Sequence, residues 1–166
     1  DKILLGKLLP SNVAEAEAEL TQYEAELQTL ENLVAIRRKL AIENPALTRL
    51  RRELSRSYQL LANCHVRGNR KNEAARQWRL ARETLEHLPL DTPAEIVELA
   101  EIHAALAEWN GALASDPLIQ AELQSNADRA MELLRKAVDA GFRNAANLRE
   151  NKAFDSVRNR DDFSSL

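Results

Sequence analysis

Glycine and proline are scarce, at 4 and 5 residues in a chain of 166. Folds built on tight turns draw on both, so the shortage argues against all-β and α/β architectures. A single cysteine excludes a disulfide framework and any cysteine-based zinc cluster. No apolar run approaches the roughly 20 residues needed to span a bilayer, and no signal peptide is visible. The first residue is Asp1 rather than Met, so a longer parent chain is expected. What is present is Ala, Leu, Glu and Arg in abundance, with 45% hydrophobic and 30% charged residues. That is chain enough for one compact domain or a short array of repeats.

The few helix breakers fall at intervals that read as boundaries. Pro10 precedes Asn12 and Glu15, which have the spacing of an N-cap and a residue reaching back to it. A long helix is expected over 11–43, with Leu20, Tyr23, Leu27, Leu30, Val34 and Ala41 on one stripe, interrupted by Arg37. Asn44-Pro45 reads as N-cap and first residue of a second helix, which Gly68 ends by taking a left-handed backbone. A third helix is expected over 71–88. Thr92-Pro93-Ala94-Glu95 is a capping box that starts a fourth. Asn110-Gly111 ends or loosens it. Asp116-Pro117 starts a fifth that stops at Gly141. Short apolar groups beyond it predict two or three short helices folded back as a cap. No segment alternates with period two, so strands are not expected.

Pro45 and Pro89 stand 44 residues apart, and the small–large–small triplet Ala74, Trp78, Ala81 recurs as Ala130, Leu134, Ala137. Small residues let a neighbouring helix approach and the large one fills the gap. Tyr58, Leu61, Ala62 and His65, followed by that first triplet and Pro89, resemble a tetratricopeptide repeat. The tail run Glu132 to Arg143, then Ala146-Asn147-Leu148-Arg149, Phe154-Asp155-Ser156-Val157-Arg158 and Arg160-Asp161-Asp162-Phe163, is similar to the C-terminal end of repeat regions in bacterial serine/threonine protein kinases of the planctomycete type. The resemblance implies an all-α fold, with antiparallel helical hairpins stacked as a short tetratricopeptide-like superhelix. One domain over 1–166 would hold the long helix at 11–43, the best repeat pair at 45–89, a second pair at 93–140 and a capping tail at 141–166. It also implies a regulatory or docking region of a kinase, distinct from its ATP-binding, phosphoryl-transferring domain. In related kinases a membrane helix separates the two, so the region is either cytoplasmic or tethered through a segment outside this sequence.

Charge is strongly segregated. Residues 37–82 hold 13 Lys or Arg against Glu43, Glu53 and Glu73, whereas residues 83–128 hold 10 acidic residues and no Lys or Arg. Either neighbouring helices pack with complementary charge, or the basic block forms a groove for an acidic or phosphorylated segment. In the repeat family the first helix of each pair lines the concave face. Arg56, Gln59, Asn63 and Arg67 form the polar stripe of the second helix and are the candidate partner-binding residues. Arg offers a fork to an anion, and Asn can hold a peptide backbone. Asn63 falls where peptide-binding members of that family carry a clamp Asn, while Gln59 stands where they prefer Lys. The block has no interleaved aromatics for stacking and the chain is acidic overall, so nucleic acid is not an expected partner.

No constellation for catalysis is apparent. Gly68-Asn69-Arg70-Lys71 is a charged turn rather than a phosphate loop, and the catalytic-loop and metal-binding signatures of protein kinases are missing. His65, His87 and His103 do not pair at helical spacing, so no metal or cofactor is expected. His65 and His103 read as core positions, Cys64 as a half-buried apolar residue, and Glu95, Glu98 and Glu101 as a solvated helix face. The expected function is a non-catalytic protein–protein interaction module, with homo-oligomerisation through the long first helix as the alternative.

Overall fold

The computed structural model describes residues 2–108 and 116–166, with side chains from residue 13 onward except at 145 and 147. The fold is all-α, with no strand among the described residues. Its helices are α1 (Lys2–Glu43), α2 (Thr48–Arg67), α3 (Lys71–Leu85), α4 (Pro93–Glu108), α5 (Pro117–Asp139), α6 (Ala145–Glu150) and α7 (Asp155–Arg158), with a single 3₁₀ turn at Lys152–Phe154 before the last. Short connections set α2 against α3, while α4 and α5 form a second packed pair. α1 lies along α2, and the short C-terminal elements close over α4 and α5.

Helix ends follow the sequence signals in part. Thr92 Oγ1 accepts from the Glu95 amide at 3.3 Å and Glu95 Oε2 accepts from the Thr92 amide at 3.0 Å, which completes the capping box. Asp116 caps α5 by accepting from the Leu118 amide at 2.8 Å, with Pro117 in the first turn. At the other end Gly141 has φ +101, and the Phe142 amide reaches the Ala137 carbonyl at 2.9 Å. That is a Schellman closure. The Asn110-Gly111 boundary lies outside the described residues.

α3 stops at Leu85, short of the expected 88, and three further boundaries differ from expectation. α1 begins at Lys2, not near residue 11, and runs through Pro10. A proline inside a helix removes one backbone hydrogen bond and its ring crowds the carbonyl four residues back, a cost of about 3 kcal/mol, yet the helix continues past Pro10. Asn44-Pro45 does not open α2. Asn44 Nδ2 donates to the Leu40 carbonyl at 3.0 Å, so Asn44 closes α1, and α2 starts at Thr48 after a turn. At the end of α2 the left-handed residue is Asn69, at φ 55, while Gly68 keeps φ −80. The Arg70 amide reaches the His65 carbonyl at 2.8 Å, a second Schellman closure with Asn at the left-handed position. Gly68 is needed for a different reason: a Cβ there would run into the phenol ring of Tyr23 on α1.

The core is the one the triplets predict. Tyr58, Leu61, Ala62, Ala74, Trp78 and Ala81 are buried on α2 and α3, all but Leu61 within one continuous core, and Ala130, Leu134 and Ala137 are fully buried on α5. Ser55 Oγ donates to the Ala81 carbonyl at 3.0 Å inside that first interface. Arg37, which interrupts the α1 stripe, uses its position to reach the Glu53 carbonyl at 3.0 Å and Ser57 Oγ at 2.6 Å on α2. Phe154 and Phe163 sit in the cap with ring centroids 6.3 Å apart.

Candidate binding groove between the two hairpins

The segregated charges meet across the two hairpins. Arg52 on α2 binds the Glu95 carboxylate on α4 and also donates to the Pro89 carbonyl at 2.6 Å. One turn on, Arg56 makes a fork to Glu98, with Nε to Oε1 at 3.0 Å and Nη2 to Oε2 at 3.1 Å. Arg79 on α3 repeats the fork with Glu122 on α5, at 3.1 and 3.2 Å. These partners are 42 or 43 residues apart in sequence, close to the spacing of Pro45 and Pro89. The complementary-packing reading of the charge blocks therefore holds for these arginines. Glu95 and Glu98 are not a solvated face, since their side chains are only 20% and 14% exposed.

The electrostatics follow from these partners. Burial pushes the Glu95 carboxyl up, but the Thr92 and Asp91 amides and the Arg52 guanidinium outweigh it and hold it below its ordinary value. The hydrogen bonds and charge of Glu98 strengthen the protonated form of Arg56. Glu101, one turn further along α4, behaves oppositely. Burial raises its carboxyl, only partly countered by Asn151 Nδ2, which donates to it at 2.7 Å, while the Glu98 charge raises it further.

A groove of about 420 Å³ runs between α2, α4 and the turn after α5. Arg56 and Gln59 form one wall, and Ala94, Val97, Glu98 and Glu101 form the other. Phe142 and Asn144 close its end. Of the four expected residues, Arg56 and Gln59 line this groove, with Gln59 Nε2 donating to Glu98 at 3.4 Å. Asn63 is exposed further along α2 and has no side-chain partner among the described residues. Arg67 turns the other way and binds Glu26 of α1. Sequence reading missed Glu101 and the contribution of Phe142. Glu101 sits three residues after Glu98 on one face of α4, but only the fold shows that Arg56 and Gln59 of α2 stand across the groove from that face.

The remaining titratable groups are structural. Asn126 Nδ2 donates to the Glu122 carbonyl at 2.9 Å, which turns its oxygen toward His103 Nδ1 at 2.9 Å. The ring proton therefore sits on Nδ1, and burial holds the imidazole below its ordinary value. His65 is buried and shifted down by the same cause, then by Arg70. Cys64 is fully buried rather than half-buried, and burial raises its thiol despite Arg67 nearby. Among the described residues no group of three or more His, Cys, Asp or Glu side chains could hold a metal ion. No described helix is long and apolar enough to cross a membrane.

No family model, no curated protein and no solved structure matches this chain.

Proposed function

We propose that this chain is a non-catalytic protein-interaction module whose α2–α4 groove takes an extended segment of a partner protein. The observation that carries the reading is the groove itself. Two helices in equivalent positions of successive hairpins face it, with an apolar stretch at Ala94, Val97 and Phe142 beside the hydrogen-bonding groups of Gln59 and Arg56. Asn63, exposed on the same helix and without a side-chain partner among the described residues, is available to a peptide backbone. The basic block suggested an acidic or phosphorylated segment. Arg56 and Arg67 each already hold a carboxylate, so the segment proposed here is read through its backbone and an apolar side chain. An acidic residue enters only where it displaces Glu98 from Arg56, whose side chain is 60% exposed.

On the resemblance of its tail motifs, we infer that this module is a regulatory or docking region of a serine/threonine protein kinase. The support for that placement is the sequence run from Glu132 to Arg143 and the short motifs after it.

Selection of peptides from a random display library on the full chain tests the groove. Enriched peptides should lose binding to Ala94→Arg, which plugs the groove from an exposed position, and weaken with Asn63→Ala. Arg67→Ala, outside the groove, should leave binding unchanged. Peptides that bind Ala94→Arg as well as the unaltered chain would sink the reading.

A further inference from the structure

The apolar seam that α1 presents to α2 does not end where α2 ends. It repeats every seventh residue through Val13, Leu20, Leu27, Val34 and Ala41, with Ala16, Tyr23 and Leu30 between. Over its C-terminal half α2 covers it: Ala41 is buried, and Leu27, Leu30 and Val34 are half-buried. The antiparallel register brings Glu26 to Arg67 and Tyr23 to Gly68, and there α2 turns away into α3. Past that point the same seam is bare, with Leu20 57% and Val13 53% exposed. From Lys2 to Gln22 the helix extends about 30 Å, and among the described residues no other element packs along 13–22.

The flanks of the bare seam carry one sign. Glu17 and Glu24 border it on one side and Glu19 and Glu26 on the other, and no Lys or Arg stands at a flanking position between residues 12 and 31. Where the seam is covered, the covering helix supplies a cation, as Arg67 does to Glu26. Where it is bare, a second copy would set Glu19 against Glu24 in a parallel pair. An antiparallel pair would set glutamates against glutamates as well. Self-pairing thus meets like charge in either orientation. An isolated helical arm of this length is also marginal in water, and Glu15 and Glu19, one turn apart, repel.

The geometry points to an amphipathic partner helix with Lys or Arg on both flanks of an apolar seam, docking along residues 13–24 of α1 as a continuation of the α1–α2 interface. This surface is separate from the α2–α4 groove. Apolar contact at Val13, Ala16 and Leu20 provides the attraction, and the glutamates on either side select the partner's charge.

The test uses the full chain and two labelled synthetic helices, each of four heptads with Leu in the seam. One carries Arg and the other Glu at every flanking position, and binding is followed by fluorescence anisotropy. The Arg-flanked helix should bind and the Glu-flanked helix should not. Leu20→Asp should abolish binding while leaving the thermal unfolding midpoint unchanged. Glu17→Lys with Glu24→Lys should weaken the Arg-flanked helix about tenfold and admit the Glu-flanked one. Ala94→Arg should have no effect, which separates this outcome from the fate of the groove. Equal binding of both helices, binding that survives Leu20→Asp, or no binding of either would overturn the proposal. So would a concentration-dependent dimer in sedimentation equilibrium that Leu20→Asp dissolves, because the seam would then belong to a second copy.

Discussion

Asn126 directs its amide oxygen at Nδ1 of His103, 2.9 Å away, and both side chains are buried between α4 and α5. The arrangement favours a neutral imidazole, because Nε2 is buried with no partner among the described residues. Burial depresses His103 below its ordinary value of 6.5, and His65 likewise. The unfolded chain therefore binds protons that the folded chain does not as pH falls below 6.5. The stability from these neutral histidines is fully present above 6.5 and declines as pH falls toward their folded values. Urea unfolding should show this decline as pH falls below 6.5, and His103→Gln should flatten it. An identical slope in that variant would show that His103 does not carry the effect.

Trp78 stands between Ala74 and Ala81 on the buried face of α3, with 9% of its surface exposed. Trp78→Ala should lower unfolding free energy by about 3–5 kcal/mol through the cavity it leaves. Chemical denaturation giving a loss below about 1 kcal/mol would mean that the helix pair collapses to refill the site.

Gly68 and Tyr23 should be energetically coupled. Gly68 keeps an ordinary backbone angle, so Gly68→Ala is penalised by the Tyr23 ring alone, with an expected cost of about 1–3 kcal/mol. In a Tyr23→Ala background the same change should be nearly neutral. A double-mutant cycle without coupling would contradict the close approach.

The two neighbouring arginines of α2 should differ in worth. Arg52 is 14% exposed and holds both Glu95 and a backbone carbonyl, so Arg52→Ala should cost about 2 kcal/mol. Arg56 is 60% exposed, and Arg56→Ala should cost under about 1 kcal/mol despite its ideal fork. Because Glu95 is held below its ordinary value of 4.5, its share of stability is present above that pH and lost as pH falls through the folded value. Equal losses from the two variants would show that burial does not set their worth.

Local signals were legible wherever one residue type answers one local need. Thr92 with Glu95, Asp116 before Pro117, and Gly141 each act within a turn of helix, and each behaves as its spacing implies. The alanines flanking Trp78 and Leu134 were legible because close helix approach demands small residues at those steps. Asn44-Pro45 misled because an Asn amide can close the preceding helix as readily as its oxygen can open the next. Gly68 misled because glycine serves close approach as well as left-handed backbone, and Tyr23 lies 45 residues earlier in the chain. The groove was legible only on its α2 side. Its second wall depends on which carboxylate each arginine meets, and that is fixed by how the second hairpin stacks on the first, with α4 packed against α3.

That stacking gives the pair of hairpins a direction. The first faces the second with guanidinium groups, and the second answers with carboxylates at Glu95, Glu98 and Glu122. A tandem copy of α4 and α5 alone would oppose carboxylate to carboxylate, and a copy of α2 and α3 alone would oppose arginine to arginine. A chain of this design grows by alternating couples of opposite polarity, and shuffling single hairpins would break its order.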